Sequence, residues 1–138
     1  EDPVSPLALY LTNGVSFIAS GFSSKPRDLA KLIAAGMEHQ GFAIVHVQSP
    51  CTTYNDNYEI LKGSAKKGIE PLIYDVPEDH SVADLAAARR LVNSPGIPIG
   101  IIYQDTSRPS FDQKLKQIEE GAKIRSVEQL LDSYKVVA

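Results

Sequence analysis

The chain holds a single cysteine among its 138 residues. One thiol closes no disulfide within the chain, so the cysteine count gives no argument for an oxidising compartment, and the cytoplasm is the expectation. Positive charge is also short: 14 Lys and Arg stand against 17 Asp and Glu, a formal net charge of −3. No basic surface invites nucleic acid or acidic lipid. No apolar run approaches the roughly 20 residues that span a bilayer, so no membrane is expected as a partner. The opening "EDPVSPLALYLTNG" is acidic and broken by proline, unlike a secretory signal. No methionine leads it, and the chain reads as a piece of something longer. Familiar catalytic signatures are missing too: there is no G-x-G-x-x-G, Walker loop, C-x-x-C, H-E-x-x-H or G-x-S-x-G.

What is present describes one α/β domain over residues 1–138. Hydrophobic residues make up 43% and charged residues 22%, ordinary for a globular chain. Ser5 suits an N-cap, with Pro6 at the first helical position and Gly14 as a stop. "VSFIAS" (15–20) reads as a strand and "GFSSKP" (21–26) as a turn. A helix follows, opened by Pro26 and closed by Gly41, with Leu29, Leu32, Ile33, Gly36 and Met37 on one face. "FAIVHV" (42–47) is nearly continuous apolar sequence, the pattern of a strand covered on both faces. Strand, amphipathic helix, strand predicts a parallel pair with a right-handed crossover. A short helical turn fits within "NDNYEILKGSAKKG" (55–68), and 69–80 is expected to run extended over the surface. Ser81 and Asp84 have capping-box spacing before a helix whose stripe is Leu85, Ala88, Leu91 and Val92. "IPIGIIYQ" (97–104) is a third strand. In the helical tail, Ser110 with Gln113 and Ser126 with Gln129 also have capping-box spacing, and Leu115, Ile118, Leu130, Leu131 and Tyr134 are expected to face inward.

Candidate sites follow from position. Open parallel sheets bind ligands beyond the carboxyl ends of their strands. Three polar stretches are expected there: "GFSSKPR", "SPCTTYN" and "QDTSRPS". In the first, Ser23, Ser24, Lys25 and Arg27 lie at a helix N-terminus, where Lys25 and Arg27 suit an anion. Ordinary capping with a solvated Lys/Arg pair explains the same residues. His39 at a helix end suits the helix dipole, His46 fits a packed or hydrogen-bonded place in a strand, and none of His39, His46 and His80 has a partner by spacing. Cys51 leaves three readings open: a half-buried structural thiol, a nucleophile without a spaced base, or one ligand of a metal centre completed from elsewhere.

The stretch from Asp2 to Asn55, above all "SPCTTYN", and the later "IPIGIIYQDTSRPSFDQ" resemble the C-terminal half of the β subunit of 2-oxoacid:ferredoxin oxidoreductases. The resemblance runs to about Gln113. It implies a mostly parallel sheet flanked by helices, half of a thiamine-diphosphate-binding domain. It implies an enzyme that oxidatively decarboxylates a 2-oxoacid on thiamine diphosphate with Mg²⁺, passes electrons through a [4Fe-4S] cluster to ferredoxin, and forms acyl-coenzyme A. By the resemblance, Cys51 is the last of four cluster ligands. Thr52 and Thr53 then stand where they can hydrogen-bond cluster sulfurs, or where they simply satisfy a turn. The other three cysteines, the G-D-G…N motif for Mg²⁺ and diphosphate, and T-G-G-Q belong to an N-terminal half, and none occurs in this sequence. The implied partners are that half, an α subunit, ferredoxin and coenzyme A, and the isolated chain is expected to be inactive. The competing expectation is a non-enzymatic flavodoxin-like module that binds an anion or partner through Lys25 and Arg27. The first reading predicts an exposed apolar sheet edge or face, the second a complete sheet.

Overall fold

The structure, a computed structural model, describes residues 4–122 and 125–135. Asp2 and Pro3, where the resemblance begins, lie outside them. Helix α1 (Pro6–Thr12) starts as its sequence dictates: the Ser5 hydroxyl accepts the Ala8 N–H at 3.3 Å and Pro6 opens the first turn. Strand β1 (Phe17–Phe22) sits two residues later than the pattern of β-branched residues suggests. Val15 still belongs to the helix exit, donating its N–H to Tyr10, while Gly21 and Phe22 continue the pairing with the next strand. Helix α2 (Pro26–Glu38) ends at His39 rather than at Gly41. Strand β2 (Ala43–Gln48) pairs parallel with β1, the crossover the sequence predicts.

The remaining elements are α3 (Tyr58–Lys62), β3 (Ile73–Asp75), α4 (Leu85–Val92), β4 (Ile97–Gln104), α5 (Phe111–Gly121) and α6 (Val127–Asp132), with a 3₁₀ turn at Ala65–Lys67. Among the described residues the strands form one sheet in the order β2-β1-β4-β3. Pairs β1·β2 and β3·β4 are parallel, and β1·β4 is antiparallel with a bulge between Ile18 and Ala19. The sheet is thus mostly parallel and flanked by helices. The stretch 69–80, expected to run extended over the surface, supplies the edge strand β3. Helix α4 is capped by Asp84, whose carboxylate accepts the Ala86 N–H at 2.8 Å, not by Ser81.

Leu7, Leu11, Val15, Ile18, Ala88, Ile102 and Tyr103 form one buried cluster, and Phe22, Leu61 and Ile99 a second. Phe17 is fully buried on the face covered by α2. Two expected burials are not met. Every residue of β2 is only half-buried, because β2 is the outer strand and no described residue pairs with its far side. The tail residues Leu115, Ile118, Leu130, Leu131 and Tyr134 are all exposed, Ile118 at 67%, because α5 and α6 extend from the body and do not fold onto it.

Candidate functional site

The parallel β1·β2 pair brings two of the three expected loops to one end of the sheet. The Ser23 N–H donates to the Gln48 carbonyl at 3.0 Å, tying the loop after β1 to the exit of β2. Three residues further on, the chain closes a tight hairpin. Cys51 N–H donates to Asn55 O at 3.2 Å, and Asn55 N–H returns to Cys51 O at 2.9 Å. Residues 52–54 make the turn. The backbone N–H groups of Tyr54 and Thr53, and after them that of Asn55, lower the Cys51 pKa below its ordinary 9.0, against desolvation and the charge of Asp56. Amide dipoles aimed at an anion favour its charged form. The thiol is exposed, which excludes the half-buried structural reading.

Thr53 therefore acts through its backbone, a role that attention to side-chain hydroxyls misses. Thr52 and Thr53 are exposed turn residues, and Tyr54 at the tip is 91% exposed. Among the described residues no group of three or more His, Cys, Asp or Glu could hold a metal ion. Cys51 could serve a metal centre as one soft, exposed ligand, and such a centre would need its other ligands from elsewhere.

Lys25 and Arg27 do not converge on an anion. Lys25 pairs with Asp75 of β3 at 3.3 Å, and Arg27 is exposed. Nearby, the Tyr58 phenol pKa is lowered first by Lys62 and then by Ser24. The third loop, "QDTSRPS", is not at this end at all. Because β4 runs antiparallel to β1, Gln104 lies opposite Phe17, and the loop leaves from the other end of the sheet. There Asp105 N–H donates to Ser16 O at 2.8 Å. Arg108 binds Asp105 at 2.7 Å and donates to the carbonyls of Gly14 and Val15 at 3.0 and 3.3 Å. Asp105 is held at a pKa of about 2, chiefly by the Ser107 hydroxyl and amide, with Arg108 adding to the effect. This clamp roots α5. Sequence reasoning misses it, although D-x-x-R spacing carries the signal. A cleft of about 760 Å³ lies beside it, lined by Ser16, His39, Phe42, Arg108 and Phe111.

The histidines are structural. His39 meets the Ser16 hydroxyl at 2.9 Å, His46 meets the Gln48 amide at 3.3 Å, and His80 donates to Ile102 O at 2.8 Å.

The chain is an open α/β sheet that presents one exposed cysteine in a tight hairpin beyond the parallel β1·β2 pair. Residues 51–120, half of the chain and starting at this cysteine, match the family model for the C-terminal region of the pyruvate ferredoxin oxidoreductase beta subunit. The chain belongs to that family: it is a C-terminal region of a 2-oxoacid:ferredoxin oxidoreductase β subunit. Similar curated proteins are 2-oxoacid:ferredoxin oxidoreductase 2, subunit beta, of Aeropyrum pernix, 32% identical over 88% of this chain and 41% of that protein, and the 2-oxoacid:ferredoxin oxidoreductase subunit beta of a Sulfolobus species, 31% identical over 84% and 40%. Among solved structures, 2-oxoglutarate:ferredoxin oxidoreductase from Magnetococcus marinus, with 2-oxoglutarate, coenzyme A and succinyl-CoA bound, superposes with a TM-score of 0.81 and 34% identity, covering 99% of this chain and 46% of that one. The chain thus spans about 40% of the length of these curated relatives. No helix of the described residues is long and apolar enough to cross a membrane.

Proposed function

We propose that this chain contributes scaffold and one iron ligand, Cys51, to a cytoplasmic enzyme that oxidatively decarboxylates a 2-oxoacid, hands electrons through a [4Fe-4S] cluster to ferredoxin and forms acyl-coenzyme A. The observation that carries the reading is the Cys51 hairpin: an exposed sulfur beyond a parallel strand pair, with backbone N–H groups favouring its thiolate, inside a segment of this family. Thiamine diphosphate with Mg²⁺ supplies the carbanion chemistry when bound, and the cluster supplies one-electron transfer. This chain's own residues hold the sulfur in place. Pro50 stiffens the approach, the Cys51–Asn55 backbone pair fixes the loop, and the Ser23–Gln48 bond anchors it to the sheet. The Thr52 and Thr53 hydroxyls, exposed beside the sulfur, are free to hydrogen-bond cluster sulfides and tune the potential. The remaining ligands and the Mg²⁺–diphosphate site come from the N-terminal half of the polypeptide, and the enzyme is completed by an α subunit. The aligned oxidoreductase with coenzyme A in its structure supports coenzyme A as the acyl acceptor.

The open β2 edge favours this reading over a self-contained flavodoxin-like module, whose sheet would be complete. The test is 2-oxoacid-dependent reduction of a viologen dye. The whole complex is expected to show it and this chain alone to show none. Turnover by this chain alone, or inactivity of the whole complex with every 2-oxoacid tried, overturns the proposal.

A further inference from the structure

We draw no further inference here: the strongest candidate, the cleft beside the foot of α5 and the entry to β2 that Phe42 and Phe111 line, carries nothing, because its Ser16, His39, Arg108 and Gln113 side chains are bonded within the chain and nothing in the structure shows what covers its apolar walls.

Discussion

At the scale of residues, the chemistry concentrates on one sulfur and the amides around it. Because backbone N–H groups lower the Cys51 pKa, alkylation by iodoacetamide is expected to half-saturate at a pH below the ordinary thiol value of 9.0. A midpoint at or above that value contradicts the hairpin. Asp105 offers a second titration. Its folded pKa of about 2 lies below the ordinary 3.8. Its contribution to stability is therefore fully present above 3.8 and disappears as pH falls through about 2. Asp105→Asn should destabilise the chain near neutral pH, and the gap between variant and parent should close at the acid end of a denaturation series. Gly41 is a third point. Its φ of +151° is one that side chains rarely adopt, and an added Cβ would strike the Ser16 hydroxyl. Gly41→Ala is expected to lower stability by about 1–3 kcal/mol, read from urea unfolding. The sequence marks Gly41 only as a helix stop. Its true constraint is the close approach of a distant hydroxyl, which appears only when α2 and the entry to β1 are packed together.

Elements with a strong local period are legible in the sequence. Ser5 with Pro6, Pro26, and both Ser–x–x–Gln capping boxes start helices where the sequence places them, because caps act within a single turn. The parallel β1·β2 pair is equally legible, since a strand–helix–strand unit has one favoured hand and direction. Two things are not. The direction of β4 depends on a long connection through α3, β3 and α4, and no residue within "IPIGIIYQ" encodes it, so the sequence pattern puts the "QDTSRPS" loop at the wrong end of the sheet. Burial of the tail is misread for a related reason: an apolar stripe shows that a helix wants a partner, not that the partner lies in the same chain. Helix α2 makes the point within one element. Leu29 and Leu32 press on β1 at Gly21, whereas Ile33 at 42% and Met37 at 82% exposure face outward. Helix α5 can be tested directly. Its capping box stabilises a helix whose residues are all exposed and which reaches the body through the Gln113–Gln40 hydrogen bond, so Ser110→Ala should speed exchange of the first-turn amides of α5, a loss of about 1 kcal/mol locally. The melting temperature of the body should not move. A clear drop in it would mean that α5 is bound to the core after all.

At the scale of the whole molecule, the β3 border of the sheet is short and ends on a charged residue, and β2 forms the other border. Ile33, Met37, Phe42, Tyr54, Phe111, Ile118 and Leu131 are exposed, and β2 has no described partner on its far side. The present chain alone should therefore bind a dye such as ANS and self-associate, and the assembled enzyme should do neither. The cysteine fits the proposed function, since its thiol is exposed and a cluster held there would need its other ligands from elsewhere. The most direct measurement is the iron content of the assembled enzyme with Cys51→Ser. Loss of the cluster's visible absorbance and of iron, in a complex that still assembles, is the predicted result. A variant that keeps the full iron complement and colour of the parent would contradict the assignment of Cys51 as a ligand.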